Sequence, residues 1–190
     1  KGISIPELLK ENNSVVGIKV DKGAKKLANS PEETITEGLD GLRERLNEYY
    51  NLGARFTKWR AVYNIRKNYP SAQSIKSNAH ALARYSALVQ EANMVPIVEP
   101  EVLMDGDHDI DTCLKVTTDV LNECFNELVI QKVSLKGIVL KPNMVVPGFK
   151  SSKKVTSEEV AKKTLDCLKK NVPSDVPGIA FLSGGQSEQE

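Results

Sequence analysis

The sequence predicts an α/β protein, a (β/α)8 TIM barrel represented by about five consecutive β/α units in a single partial catalytic domain over residues 1–190. Three observations predict it. Strand-like runs alternate with segments of helical period along the whole chain, which calls for parallel strands joined by right-handed crossovers. A charged or polar residue closes each apolar or aromatic run: Lys19, Lys58, Glu99, Lys141 and Ser183, separated by 39, 41, 42 and 42 residues. The carboxyl end of parallel strands is where such folds bind ligands. Finally, Lys58 and Arg60 share one face of their strand, as Glu99 and Glu101 share one face of the next. A buried charge without a partner is strongly unfavourable. A barrel mouth offers facing partners from neighbouring strands, whereas the helical cover of an open doubly wound sheet, the alternative architecture, satisfies them less easily. Eight units of about 40 residues exceed the typical ~250 of the fold, so the chain is expected to be incomplete at both ends.

The elements follow in order. The opening KGISIPELLKENNS lacks the apolar centre of a signal peptide. VVGIKV reads as the first strand. Leu39, Leu42, Leu46 and Tyr49 then recur at helical spacing, and Gly53 ends that run as a C-terminal cap does. ARFTKWRAV is the second strand, with Trp59 directed away from the Lys58 face and under the outer helices. Ile75, Ala79, Leu82 and Val89 mark the next helix after Ser71. MVPIVEPEV is the third strand, and Ile110, Leu114, Val120, Cys124 and Leu128 the helix after it. Between them MDGDHD invites a calcium reading. Its Gly106 falls at the second loop position, however, and no glutamate stands at the twelfth, so capping of the helix is preferred. GIVLKPNM is the fourth strand, and the Lys150–Lys154 run a solvated loop. Thr156-Ser157-Glu158-Glu159 caps a helix carrying Val160, Leu165 and Leu168, and GIAFLSGG is the fifth strand.

Composition narrows the function. With 26 basic and 25 acidic residues the net charge is +1, so no global field recruits nucleic acid or an anionic membrane. No apolar run approaches the roughly 20 residues of a membrane span. Cys113, Cys124 and Cys167 show no CxxC spacing and read as reduced, half-buried thiols, which points to the cytosol. His80 and His108 form no ligand pair, so no metal site is expected.

The strand-end groups suggest carbonyl chemistry. A lysine held in an enclosed place near a second cation is disposed to act as a neutral amine, and Lys58 or Arg60 is the candidate cation beside Lys141. Such an amine attacks a carbonyl to form a Schiff base. Pro142 ends the strand and redirects the chain. Glu99 is the candidate proton carrier for loss of water from the carbinolamine, and Glu101 is placed to hold Lys58. Ser183, Gly184 and Gly185 offer a turn that favours phosphate, and Lys19 a second anion contact. The implied ligand is a carbonyl compound carrying phosphate.

The segments GIKVDKG, TEGLDGL, FTKWR, VPIVEPEVLMDGDHD, LKPNMVVPG and FLSGGQSEQE closely resemble the class I fructose-1,6-bisphosphate aldolase family, over its third to seventh barrel strands. The resemblance implies a lyase of glycolysis and gluconeogenesis. Such an enzyme cleaves fructose 1,6-bisphosphate reversibly to dihydroxyacetone phosphate and glyceraldehyde 3-phosphate, without a metal or cofactor. It implies that Lys141 forms the Schiff base, that Glu99 transfers protons, and that Lys58 assists at the carbonyl and the cleaved bond. Ser183, Gly184 and Gly185 would hold the C1-phosphate, Lys19 the other phosphate end, and Arg60 the charge network, with Glu101 supporting. It also implies a cytoplasmic homotetramer. The family's catalytic aspartate on the first strand, its phosphate-binding arginine on the last and its C-terminal tyrosine lie in segments absent from these 190 residues. The alternatives are another lysine-imine barrel enzyme of transaldolase type, or a non-catalytic phosphosugar-binding scaffold fragment.

Overall fold

Parallel strands need a crossover connection at each step, and the sheet here fills in chain order. The structure is a computed structural model describing residues 2–68, 70–183 and 185. Its four-stranded sheet contains β1 (Gly17–Lys19), β4 (Phe56–Tyr63), β5 (Val95–Val102) and β6 (Val139–Leu140), in that order and all parallel. No strand steps back past its predecessor. A doubly wound sheet requires such a reversal, so the order favours an arc of a barrel. The predicted fifth strand lies where expected, beside β6. It is a single parallel bridge between Leu140 and Ile179, with Leu140 N–H donating to the Gly178 carbonyl at 3.1 Å and Ala180 N–H to Leu140 at 2.8 Å.

The helices are α1 (Ile5–Glu11), α2 (Leu42–Asn51), α3 (Ala72–Glu91), α4 (Ile110–Ile130) and α5 (Ser157–Asn171). α3 packs on β4 and β5, and α4 on β5 and α3. Alternation along β4 explains this. Thr57, Trp59, Ala61 and Tyr63 are buried, while Lys58 and Arg60 face the other way. Trp59 stacks on Tyr85 of α3 with ring centroids 5.3 Å apart. The Tyr85 hydroxyl pairs with Thr57 Oγ1 at 2.8 Å and donates to the Ile97 carbonyl at 3.2 Å. One aromatic pair therefore fixes helix and strands together and leaves the opposite face to the charges.

Two elements were not expected. A hairpin of β2 (Ala24–Leu27) and β3 (Ser30–Thr36) stands between β1 and α2, turning at Asn29, whose φ of 61° is left-handed. It is fastened to α3. Glu33 accepts from Ser71 N–H and Ser30 Oγ, both at 2.8 Å, while Thr36 N–H donates to Asn78 Oδ1 at 3.1 Å. Short helix α1 carries a capping box between Ser4 and Glu7. Asp109 caps α4, accepting from Thr112 N–H at 3.0 Å, as the capping reading of MDGDHD requires. The three cysteines are free and fully buried, deeper than the half-buried thiols expected, because each sits on the packed face of α4 or α5.

Candidate active site

Side chains of β4 and β5 and the residue after β6 converge on one carboxylate. Lys58 and Glu99 lie within their strands and not at the ends the sequence suggested, because β4 and β5 run on to Tyr63 and Val102. Glu99, whose side chain is 3% exposed, accepts from Lys58 Nζ through Oε2 at 2.7 Å, and its Oε1 lies 2.9 Å from Lys141 Nζ. The two lysine side chains are about one quarter exposed, at 25% and 27%. Three successive strands thus bring a lysine, a glutamate and a lysine into one chain of charge-assisted contacts. The cation expected near Lys141 is Lys58. A carboxylate intervenes, so the resting arrangement is a bridged ion triad and not two facing ammonium groups.

Glu101 does not hold Lys58, contrary to the sequence expectation. It pairs with Arg60. The parallel register explains the difference. Arg60 lies opposite Glu99 and Val62 opposite Glu101, so each carboxylate reaches the cation two residues before its own register partner. Hydrogen bonding to Glu101, opposed by partial burial and aided by the charges of Glu101, Glu99 and Asp21, holds the Arg60 guanidinium above its usual value.

Lys58, Arg60, Glu99 and Glu101 line an open cavity of about 310 Å³ together with Ser183 and Gly185. Ser183 and Gly185 therefore face the charged side chains of β4 and β5; Gly184 lies outside the described residues. At Gly185 φ is +71°, and an added Cβ would stand 2.5 Å from the Phe149 ring and 3.0 Å from the Met104 sulfur. Glycine takes this conformation without strain, and a side chain here would have to displace the Phe149 ring and crowd the Met104 sulfur.

Lys19 is half exposed and does not line this cavity. Its Nζ lies 2.9 Å from Asp21 Oδ1 and donates to the Asp21 carbonyl at 2.9 Å. Asp21, which sequence reasoning missed, is buried, and its carboxylate also accepts from Gly23 N–H at 3.0 Å and Arg60 N–H at 3.4 Å. It joins β1, the hairpin and β4. A lone aspartate after a strand gives no periodic signal; its position in VDKG was the only hint.

The loop after β6 is less free than its lysine run suggests. Gly148, Phe149 and Lys150 donate their N–H groups to the carbonyls of His108, Met104 and Gly106 at 2.9, 2.9 and 2.8 Å, and Lys153 pairs with Asp109 at 2.8 Å. The segment following Lys141 is stitched to the one following Glu99. Among the described residues no group of three or more His, Cys, Asp or Glu side chains is arranged to hold a metal ion.

Comparison with known proteins decides the family. A sequence model described as fructose-bisphosphate aldolase class-I matches residues 1–190. The chain belongs to the class I fructose-bisphosphate aldolase family. It is 54% identical over 189 residues to a probable fructose-bisphosphate aldolase class 1 of Xanthomonas campestris, covering 100% of this chain and 57% of that protein. It is 52% identical over 184 residues to fructose-bisphosphate aldolase 4, cytosolic, of Arabidopsis thaliana, covering 97% and 47%. The fructose-bisphosphate aldolase of Plasmodium falciparum, solved in complex with TRAP and a small-molecule inhibitor, superposes with a TM-score of 0.96 at 46% identity. That match covers 99% of this chain and 55% of the other. The chain spans about half the length of the relatives it matches, and the sheet described above is the corresponding part of an aldolase TIM barrel.

Proposed function

We propose that the protein contributes the Schiff-base half of an aldolase active site and cleaves fructose 1,6-bisphosphate to dihydroxyacetone phosphate and glyceraldehyde 3-phosphate. The observation that carries this reading is the Glu99 carboxylate held between Lys58 and Lys141. When the substrate arrives, Lys141 passes its proton towards Glu99, and the free amine attacks the C2 carbonyl. Glu99 returns a proton to the carbinolamine hydroxyl, which leaves as water. The protonated imine then accepts the electron pair of the C3–C4 bond as a proton leaves the C4 hydroxyl. Glyceraldehyde 3-phosphate departs, and the enamine is protonated at C3. Water adds to the imine, and Lys141 is regenerated as dihydroxyacetone phosphate leaves. Lys58, on the far side of Glu99, supplies positive charge where the carbonyl oxygen becomes negative. Ser183 and Gly185 receive the C1-phosphate; Lys19, tied to Asp21 and outside this cavity, meets the other phosphate only on leaving that pair.

No step asks for a metal ion, and the nucleophile is the protein's own amine. The test is cleavage of fructose 1,6-bisphosphate by the full-length native polypeptide with and without chelator, together with a panel of other sugar phosphates. Chelator-insensitive cleavage abolished by Lys141→Ala is expected. Transfer of a three-carbon unit without net cleavage would favour a transaldolase, and loss of activity with chelator would favour a metal enzyme. Relatives named cytosolic or cytoplasmic in Arabidopsis and pea support a cytoplasmic placement, and the resemblance supports a homotetramer, which light scattering on the native polypeptide would test.

A further inference from the structure

The stretch Leu140-Lys141-Pro142-Asn143 shows how a strand can end without losing its place. The β5–β6 pairing stops at Val98 and Leu140, with one further bond from Lys141 N–H to the Val98 carbonyl at 2.8 Å. Pro100, which faces β6 between Val98 and Val102, has no N–H to donate, so the ladder breaks there. Four residues along β5, Val102 still presents an N–H to that side. Its partner is a side chain: Val102 N–H donates to Asn143 Oδ1 at 3.0 Å. Asn143 Nδ2 donates in turn to Thr117 Oγ1 on α4 and to the Met144 carbonyl, each at 3.0 Å. The side chain is 1% exposed, and these three bonds use its one acceptor and both donors.

The two ties bracket the chemistry. Val98 is bonded to Lys141 and Val102 to Asn143, and Glu99 lies between those two points on β5. We propose that Asn143 is a positioning residue for the amine of Lys141. It replaces the ladder that Pro100 interrupts and thereby holds Lys141 Nζ at its 2.9 Å separation from Glu99 Oε1. The inference rests on the Schiff-base reading of Lys141. Asn143 touches no reacting atom; it acts through the backbone of its neighbour. Without it the end of β6 keeps the Lys141–Val98 bond and its pairing with Gly178 and Ala180 but loses its side-chain tie to Val102 of β5. A displacement of about 1 Å can cost on the order of 100-fold in rate.

The test separates positioning from general loss of structure. The full-length polypeptide and its Asn143→Ala and Thr117→Val variants are given dihydroxyacetone phosphate and borohydride, and the rate of adduct formation is followed. Binding of a hexitol 1,6-bisphosphate, which carries both phosphates and no carbonyl, is measured alongside. Trapping and kcat should fall about 10- to 100-fold in Asn143→Ala with hexitol bisphosphate affinity held within about twofold, because the lost interaction serves the reaction and not phosphate binding. Thr117→Val leaves the Val102 bond intact and should lower trapping by only about three- to tenfold. Unchanged trapping in a folded Thr117→Val overturns the inference, even if Asn143→Ala does not fold. So does a parallel fall of trapping and hexitol bisphosphate binding in the folded variants. A wild-type protein that traps no adduct would instead remove the Schiff-base reading itself.

Discussion

Replacing Glu99 by glutamine is the sharpest probe of the charged mouth. The side chains have the same shape, so no cavity opens. What changes is the partner offered to Lys58 and Lys141, whose nitrogens stand 2.7 and 2.9 Å from the two carboxylate oxygens. With charge centres about 3–4 Å apart and an effective dielectric of about 20, each attraction is worth about 4–5 kcal/mol before desolvation is counted. Burying the carboxylate offsets most of that gain. Breaking such a pair from one side typically costs about 3–5 kcal/mol, and the lysines' partial exposure argues for the lower end. Glu99→Gln should therefore lose about 3 kcal/mol in urea unfolding, since its amide nitrogen then faces an ammonium group. For a chain of this size that is a fall of about 6–12 °C in Tm. The assay is a double-mutant cycle with Lys141→Met, for which a coupling energy of about 1.5–3 kcal/mol is expected. A coupling below about 0.5 kcal/mol, the level of a solvated surface pair, would refute the claim that the three strands share a desolvated site.

Three further outcomes follow from the packing. Burial tends to raise Glu33, but hydrogen bonds from the Ser71 hydroxyl and amide and from Ser30 and Ser74 outweigh it and lower the carboxyl below its ordinary 4.5. Its stabilising effect is complete above that ordinary value and is lost as the pH falls through the lower folded one; the advantage of wild type over Glu33→Gln in urea should shrink from pH 6 towards pH 3, and a constant gap would contradict the assignment. Burial raises the Cys113 and Cys167 thiols, and burial with the nearby Glu123 charge pushes Cys124 up to about 12; a disulfide reagent at neutral pH should therefore modify all three only after unfolding, and rapid native labelling would contradict their burial. Tyr85→Phe removes the bonds to Thr57 and the Ile97 carbonyl and should cost about 1–2 kcal/mol in urea, whereas a neutral result would show that stacking on Trp59 alone fixes α3.

The parts of the fold legible in the sequence are those with a period. β4 and β5 show it through alternation, and α3 and α4 through apolar stripes that the buried Leu82, Val89, Val120 and Leu128 confirm. Lys58, Glu99 and Lys141 stood out as charges ending apolar strands, and the structure brings all three together. The hairpin was hidden because β2 exposes Ala24, Lys25 and Lys26 and has no apolar face to announce it; only Asn29 at its turn gave a signal. Helix α1 has no buried residue, so only its Ser4–Glu7 capping pattern could have revealed it. The Arg60–Glu101 pairing depends on the relative register of two strands, which alternation within either strand does not specify. Asp21 and Asn143 bind backbone groups far away in sequence, and such ties leave no spacing to read.

The most direct measurement is where the label goes when the full-length polypeptide is reduced with borohydride in the presence of dihydroxyacetone phosphate. Peptide mapping should find the reduced adduct on Lys141 and none on Lys58, although both contact Glu99, and Lys141→Ala should abolish it. An adduct on Lys58 or any other lysine, with Lys141 unmodified, would contradict the account.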